Sequence, residues 1–366
     1  MIASLRPILL RTARAAGLFS AMRFQHRHQL LVLTYHSVVQ NIQEERSRYP
    51  LVYRNAVSAN HFEQQMQYLR RYYTVLDGDE LRTGLAHGSF PARAVIVTFD
   101  DGLLNNATVA LPILRRLNIP ALFFLPTGFV DAASENTLRR HWTEDLIARL
   151  SYRRLDDAFE SRALTTHLPK LTVELDNLSL ASIRVVVEHL KRLPRQTRLS
   201  RLSALTDVLG DLPPATAFPA DRDGHSVLAT MTWDHARRAA NQGITLGGHT
   251  VNHENLARLP DDEAATEITE SLQSLTENTE QSADFFSYPY GRPRDFTTVH
   301  QKVLADTKCR GAFTQVVGFN DASTDPLALR RIDVSPGYSI DMFAYVASGS
   351  KHMVDRAIRD QSSAST

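Results

Sequence analysis

The chain has 366 residues, of which 43% are hydrophobic and 22% are charged, with 41 Lys and Arg against 40 Asp and Glu. This is the composition of a globular protein, and it excludes a disordered or fibrous chain. A formal net charge of +1 argues against a nucleic-acid partner, because non-specific binding to nucleic acid requires a basic surface. The single cysteine, Cys309, cannot form an internal disulfide.

Residues 1–29 are predicted as a basic helical segment, because Arg6, Arg11 and Arg14 interrupt short apolar stretches. A secretory signal would need an unbroken apolar run of about 7–15 residues, and a transmembrane helix would need about 20. The sequence provides neither, so we expect a cytoplasmic protein without a transmembrane segment. The alternatives are a periplasmic location and weak peripheral contact of the basic helix with a membrane surface.

Short apolar runs that are rich in β-branched or aromatic residues are predicted as buried strands. They are Leu30–Tyr35, Ala94–Phe99, Ala121–Leu125, Ile244–Leu246, Phe285–Tyr288 and Ala312–Thr314. Helices are predicted between them at Asn60–Tyr73, with Asn60 as the N-cap, at Ala107–Leu117, closed by Asn118, and at Asp261–Asn278. Strands that alternate with helices indicate a parallel sheet, closed or open.

Residues 131–230 have a different pattern, with many arginines, no clear strand and helix-like stretches such as Leu180–Leu193. This segment ends in a proline-containing stretch, Leu212–Asp223, which is predicted as a loop. We interpret it as a helical insertion between two strands of a main unit that spans residues 30–349. Residues 350–366 are predicted as a C-terminal tail.

The first chemical motif, VIVTFDDG, spans residues 95–102 and joins a buried strand to two adjacent carboxylates, Asp100 and Asp101. Acidic residues at the carboxyl end of a strand lie where α/β enzymes build their active sites. Two neighbouring buried carboxylates repel each other, and a metal ion on one of them, with the other as a base, removes that conflict. The structural alternative is a strand-ending turn capped by an aspartate side chain.

The second motif, GGHTVNHE, spans residues 247–254 and places His249 and His253 four residues apart. On one helical turn both imidazoles would point to the same side, which is a spacing suited to zinc and similar ions. One such spacing arises readily by chance among 14 histidines. Two histidines and one aspartate are, however, the three ligands of a catalytic metal site with one position open for water.

Two weaker signals accompany these motifs. The stretch FFSYPYGR, residues 285–292, ends a strand in a turn whose backbone N–H groups could contact a substrate oxyanion. His36 ends the first predicted strand within LTYHSV, residues 33–38. Taken alone, the first stretch is an ordinary aromatic turn and His36 is a histidine with a structural hydrogen bond.

In this order the motifs resemble the polysaccharide deacetylase superfamily, also described as NodB homology or carbohydrate esterase family 4. The stretches HFEQQMQYL, ALPILRRLNIPALFFLPTGF and MTWDHARRAANQGITLGGHT are similar to members of this family. The resemblance covers residues 30–349, is weakest in the helical middle, and is closest to an exopolysaccharide-associated branch. That branch carries a YHxV motif in its first strand, which here is Tyr35 to Val38.

The resemblance implies a distorted (β/α) barrel and a metal-dependent hydrolase that removes N-acetyl groups from amino sugars, such as N-acetylglucosamine, of a polysaccharide or oligosaccharide. By motif, Asp101, His249 and His253 hold the metal ion, with Zn²⁺ expected and Co²⁺ or Ni²⁺ as alternatives. Asp100 is the general base, and the backbone N–H of Tyr290 helps to bind the oxyanion. Thr250 is expected to form a hydrogen bond that supports the histidine pair.

The sequence departs from the family pattern at two places. Where many members carry an arginine that orients the base, this chain has Ser287, so Arg331 or Arg292 is expected to supply the charge. A late histidine that protonates the leaving amine is also missing, since His352 fits that motif poorly. In the YHxV branch that this sequence resembles, the early histidine is similar to that acid, so the resemblance implies His36 as our candidate for the general acid.

Two other functions remain open at this level. One is an amide hydrolase of the same barrel that acts on a small cyclic imide or ureide. The other is a catalytically silent member that binds carbohydrate. The presence of Asp100, Asp101, His249 and His253 together argues against a silent member, which would have no use for three metal ligands and a base.

Overall fold

The computed structural model describes residues 2–40, 43–137, 139–156, 178–211 and 227–351, together with Leu164 and Leu168. Its strands are β1 (Leu31–Tyr35), β2 (Ser37–Val39), β3 (Ala56–Ser58), β4 (Thr74–Val75), β5 (Ala94–Phe99), β6 (Ala121–Leu125), β7 (Ile244–Gly248), β8 (Phe285–Ser287), β9 (Gly311–Val317) and β10 (Leu329–Asp333). The predicted loop at Leu212–Asp223 and the tail beyond residue 351, including His352, lie outside the described residues.

Seven parallel strands close into a barrel in the order β1, β10, β9, β8, β7, β6, β5, and β5 returns to pair with β1. The closing pair is in register from Leu31 opposite Val95 to Tyr35 opposite Phe99. The short β4 pairs with the beginning of β5, and β2 and β3 form a separate two-stranded sheet. The predicted (β/α) barrel is therefore confirmed.

Helices surround the barrel and form the segment between β6 and β7. They are α1 (Ile2–Ala15), α2 (Leu18–Gln25), α3 (Gln43–Arg48), α4 (Ala59–Tyr72), α5 (Gly78–His87), α6 (Leu111–Leu117), α7 (Thr127–Ser134), α8 (Trp142–Arg153), α9 (Leu180–Lys191), α10 (Arg195–Leu209), α11 (Trp233–Ala240), α12 (Asp261–Thr279), α13 (Thr298–Asp306) and α14 (Ile340–Ala347). Among the described residues, no helix combines the length and the apolar character needed to cross a lipid bilayer.

Three local predictions need correction. Helix α4 begins at Ala59 and is capped by Ser58, whose hydroxyl accepts the His61 N–H at 3.3 Å, so the prediction of Asn60 as the N-cap was wrong. The segment before α6 is π-helical, although Asn118 ends α6 in a left-handed conformation as predicted. Strand β10 was not predicted, because its sequence LRRID has two arginines and an aspartate among five residues and lacks the apolar run that indicates a buried strand.

The side chains of the barrel strands alternate between two cores. Val32, Ile96 and Phe124 belong to a cluster inside the barrel, whereas Leu33 and Val97 pack outwards against the surrounding helices. Helices α8, α9 and α10 form a further apolar cluster of their own with residues 49–56. Helices α8, α9 and α10 are thus packed around a core that is separate from the barrel.

Candidate active site

The residues singled out in the sequence follow the carboxyl ends of several barrel strands. His36 follows β1, Asp100 and Asp101 follow β5, His249 follows β7, and Tyr290 lies shortly after β8. Because the strands of the barrel are parallel, their carboxyl ends lie at one rim. All five of these residues line one cavity of about 510 Å³ at that rim.

Asp101, His249 and His253 form a cluster with the geometry of a metal site. Asp101 Oδ1 lies 3.5 Å from His249 Nε2 and 3.1 Å from His253 Nε2, and one ligand atom from each residue lies within 4.8 Å of the other two. The Nδ1 of His249 lies 2.6 Å from the Ser287 carbonyl oxygen, which can only accept a hydrogen bond. Nδ1 therefore carries the hydrogen, and the Nε2 lone pair of His249 faces the cluster.

These residues fit a divalent metal ion. Two imidazoles and one carboxylate are a common set of three protein ligands that leaves a coordination position open. The Asp101 side chain is 29% exposed and that of His249 only 2%. His249 is therefore enclosed by the protein, whereas Asp101 is accessible from the cavity. Burial acts to raise the pKa of Asp101, but the adjacent imidazoles of His249 and His253 hold it well below its ordinary value. Asp101 is consequently ionised, as a ligand must be.

The two histidines do not lie on one helical turn, so that part of the prediction was wrong. They flank a loop in which Thr250 has φ 61° and His253 has φ 53°. This loop is held by backbone hydrogen bonds from Thr127 and Gly128, at the start of α7, to the carbonyl groups of Thr250 and Val251. The hydrogen bond predicted for Thr250 is therefore made by its carbonyl group, whereas its buried hydroxyl has no partner among the described residues.

Backbone strain is concentrated at the cluster. The described chain has nine non-glycine residues with positive φ, and four of them are Asp101, Thr250, His253 and Tyr290. A left-handed conformation costs a residue with a Cβ about 1–2 kcal/mol, and it persists where the surrounding structure imposes it. The packing of the barrel rim therefore offsets the conformational strain at Asp101 and His253, which brings these two side chains together.

Asp100 is buried beside the cluster and is held by Arg331. The Arg331 guanidinium donates to both carboxylate oxygens, at 2.8 Å and 2.7 Å, and the Ser287 hydroxyl donates to Oδ2 at 3.2 Å. Burial acts to raise the pKa of Asp100, but the charges of Arg331, His249 and His36 and the Arg331 hydrogen bonds bring it below its ordinary value. Asp100 Oδ1 accepts from Arg331 alone among the described residues, so one of its lone pairs remains for a proton.

The structure distinguishes between the two arginines named from the sequence. Arg331 lies on β10 with its side chain fully buried, and its Nε donates to the Thr314 carbonyl group at 2.7 Å. Arg292 is exposed, and its backbone N–H donates to Asp295. Arg331 thus occupies the position from which a guanidinium orients Asp100, and Ser287 lies between them as a shared hydrogen-bond partner.

Tyr290 presents an N–H group that is not used by the fold. Within the part of the chain that the structure describes, this N–H donates to no protein acceptor. The turn that exposes it depends on Gly291, which has φ 61° and whose position would bring a Cβ within 2.7 Å of the Gln315 nitrogen. A larger residue would therefore push the turn away from the cavity.

The helices between β6 and β7 also contribute to the cavity. Arg140, His141, Glu144 and Lys191 line it together with Asp100 and Asp101. The imidazole of His141 packs edge-on against His253, with ring centroids 4.3 Å apart, and its Nε2 lies 3.3 Å from the Tyr290 hydroxyl. Sequence reasoning missed His141, because it lies in a segment without a recognisable motif.

A closed parallel barrel with a polar cluster at its carboxyl rim is the arrangement in which (β/α)-barrel enzymes build their active sites. A family model described as polysaccharide deacetylase matches residues 87–161 and 207–310, together just under half of the chain. This match supports the predicted family and the predicted class of enzyme, a deacetylase hydrolase, and it does not test the exopolysaccharide-associated branch. The residues that match the family include Asp100 and Asp101 in the first part and His249 and His253 in the second.

Individual proteins are similar to this chain in sequence or in fold. The curated protein YxkH of Bacillus subtilis (strain 168), which is named after the same family, is 29% identical over 119 residues, or 32% of this chain. The match spans 42% of the length of YxkH, which is less than half.

The fold is similar to that of the deacetylase PplD of Streptococcus pyogenes, which was solved in complex with acetate. The TM-score is 0.56 at 18% identity, and the match covers 88% of this chain and 99% of that chain. It is also similar to a de-N-acetylase from Aggregatibacter actinomycetemcomitans, with a TM-score of 0.53, 16% identity, and coverage of 86% and 98%.

Proposed function

We propose that the protein is a divalent-metal-dependent N-deacetylase that acts on N-acetylated amino sugars of a polysaccharide or oligosaccharide. The observation that carries this proposal is the convergence of Asp101, His249 and His253 beside the buried Asp100–Arg331 pair. Zn²⁺ is the proposed ion, because two imidazoles and a carboxylate suit it. The YHSV sequence at the end of β1 supports a role in the biosynthesis of an exopolysaccharide.

Asp101, His249 and His253 would hold the ion, which when bound lowers the pKa of a water molecule and polarises the acetyl carbonyl group. Asp100 then acts as the general base. Its Oδ1 atom takes the proton of the attacking water, and Arg331 keeps the carboxylate ionised and fixed in orientation. The ion pair with Arg331 thus lowers the basicity of Asp100 but fixes the position of its carboxylate.

The remaining steps concern the acetyl oxygen and the amine. The unused N–H of Tyr290 would donate to the carbonyl oxygen as this atom gains negative charge. When the carbon–nitrogen bond breaks, the leaving nitrogen needs a proton, and His36 is the proposed donor because it lines the same cavity. The products are acetate and the free amino sugar.

Two competing functions make different demands on the site. A hydrolase of small cyclic imides or ureides needs a closed pocket, whereas this cavity shares Lys191, Tyr290 and Arg292 with a second cavity beside it. A silent carbohydrate-binding protein has no need for a base whose orientation is fixed by a buried arginine. Both observations favour an enzyme that acts on an extended glycan.

The test is acetate release from N-acetylglucosamine oligomers by protein that has been stripped with a chelator and reloaded with Zn²⁺, Co²⁺ or Ni²⁺. We expect no activity in the stripped protein and recovery on reloading. Hydantoin and dihydrouracil serve as substrates for the competing hydrolase. Turnover of these compounds without acetate release, or acetate release that is unaffected by metal removal, would contradict the proposal.

A further inference from the structure

A second cavity, of about 220 Å³, adjoins the active-site cavity. The two cavities share three lining residues, Lys191, Tyr290 and Arg292. Tyr290 thus borders both spaces, and the Lys191 ammonium group lies 5.4 Å from the centre of the Tyr290 ring. A glycan whose acetylated sugar lies beside Asp101 would therefore place a neighbouring group in the second cavity.

The second cavity carries a strong excess of positive charge. Its acidic lining residues are Glu188 and Asp295, and its basic lining residues are Lys191, Arg192, Arg198, Arg258, Arg292 and Arg294. The active-site cavity is balanced by comparison, with Arg54, Arg140, Lys191 and Arg292 against Asp100, Asp101, Glu144 and Asp333. The excess of cations is thus confined to the space beside the candidate catalytic residues.

Few of these cations are neutralised by the protein. Lys191 pairs with Glu188 at 2.9 Å, and Asp295 is occupied by the Asn255 amide and the Arg292 backbone N–H. The side chains of four arginines form no ion pair with any described residue: Arg192, Arg258, Arg292 and Arg294. Partial burial acts to raise the pKa of Glu188, but Lys191, together with Arg292 and Arg294, lowers it below its ordinary value.

Arg198 gives the second cavity a buried and partly unsatisfied donor. Its side chain is 2% exposed, lies over the Trp142 ring at 5.3 Å and donates to Glu254 at 2.6 Å. The Nε of Arg198 is buried and has no hydrogen-bond partner among the described residues. A buried donor without an acceptor is costly, and guanidinium groups bind carboxylate and phosphate with good geometry.

We propose that the second cavity is an anion-binding subsite, which receives a carboxylate or phosphate group attached to the N-acetylated sugar. This inference rests on the proposed deacetylase function and specifies its substrate class, an acidic glycan or a phosphate-linked sugar. The anionic group contacts Arg258 and Arg294 at the exposed side of the cavity and Arg198 at its base.

The experiment compares a neutral N-acetylglucosamine oligomer with an oligomer of equal length in which N-acetylglucosamine alternates with glucuronate. A nucleoside diphosphate-linked N-acetylglucosamine forms a third arm, which separates a phosphate source from a uronate source. We expect at least one anionic substrate to have a kcat/KM about tenfold above that of the neutral oligomer, and this preference to weaken as salt screens the charges. The double variant Arg258→Gln with Arg294→Gln should reduce the preference about tenfold through KM, the scale of two partly exposed ion pairs.

Arg238→Gln is the matched control, because Arg238 lines a different cavity on α11 and should leave the preference as it is in the wild-type protein. Equal kcat/KM for anionic and neutral substrates, or an equal preference in the double variant and the control, would overturn the subsite. If no substrate releases acetate, binding of the same three compounds is measured by titration of the intrinsic tryptophan fluorescence, to which Trp142 beside the second cavity contributes. Tighter binding of an anionic compound then supports the subsite while the deacetylase function fails, and equal binding refutes the subsite.

Discussion

Arg331 and Asp100 lie 231 positions apart in the sequence, yet the guanidinium of one donates to both carboxylate oxygens of the other. The Arg331 side chain is 0% exposed and the Asp100 side chain 3%. A buried ion pair contributes little to stability when intact, because both charges lose their hydration, but the loss of one partner leaves an uncompensated charge. The pair is therefore better explained by the orientation and ionisation of Asp100 than by the stability of the barrel.

Replacement of Arg331 should affect both stability and activity. Arg331→Met leaves the Asp100 carboxylate buried without a cation, and we expect the free energy of unfolding to fall by about 3–5 kcal/mol. Without Arg331, burial dominates, so the pKa of Asp100 rises and the acidic limb of the pH–rate profile moves to higher pH. In the wild-type protein the pKa of Asp100 is lower in the folded state than in the unfolded chain. Ionised Asp100 therefore stabilises the folded state above about pH 4, the pKa of an aspartate in the unfolded chain. This stabilisation is lost as the pH falls through the pKa of Asp100 in the folded protein.

Arg330→Met is the control for this variant, because Arg330 is the exposed neighbour of Arg331 on β10. Chemical denaturation at several pH values measures stability, and acetate release measures the rate. Equal stability and an equal acidic limb in the two variants would show that Arg331 does not govern Asp100.

Asp100→Asn tests the base. The amide cannot accept a proton, so we expect the rate of acetate release to fall by about 10²–10⁴ while the three proposed ligands continue to bind metal. Elemental analysis of the purified variant measures its metal content. If Asp100→Asn loses the metal and Asp101→Asn retains it, the two aspartates have exchanged roles.

His253→Ala tests the metal site. Two remaining ligands hold a divalent ion poorly, so we expect the affinity for Zn²⁺, measured by calorimetry on chelator-stripped protein, to fall by more than about 100-fold. His87→Ala, on the exposed end of α5, should bind the metal as the wild-type protein does. Full metal occupancy in His253→Ala would exclude this residue as a ligand.

His36→Asn tests the general acid. We expect a folded protein with a full complement of metal whose pH–rate profile has lost its basic limb, because that limb reports the proton donor. A substrate with a better leaving group than an alkyl amine, such as an N-acetylated aryl amine, should be affected less than an amino sugar. An unchanged pH–rate profile would return His36 to a structural role.

The parts of the site that could be predicted are those in which a residue directly follows a recognisable strand, because the end of the strand determines where that residue lies. The apolar run of residues 94–99 predicts a buried strand, and any polar residue that follows it must lie at the barrel rim, which placed Asp100 and Asp101. The same reasoning placed His249 after β7. The spacing of His249 and His253 suggested a helix, because four residues match a helical turn, but left-handed residues bring the two rings together in a loop instead.

Other features depend on tertiary contacts that no local pattern contains. The LRRID sequence of β10 is too polar to predict a buried strand, and the buried Arg331 depends on distant partners, the Asp100 carboxylate and the Thr314 carbonyl group. His141 reaches the cavity because α8 packs on the apolar core of its own segment, and a single histidine before a helix gives no signal of this. Each of these positions is determined by a partner that is distant in sequence.

The closure of the barrel by β1 also fixes the order in which the enzyme can be assembled during synthesis. β1 pairs with β5, which follows within the first 100 residues, but its other neighbour is β10 near the end of the chain, where Leu33 lies beside Ile332. Contacts between such distant segments form slowly, because a long loop must close. A nascent chain that ends before β10 has two unpaired strand edges, which favour aggregation. It also carries Asp100 without its arginine, so this carboxylate acquires its final environment only when the last strand of the ring is in place.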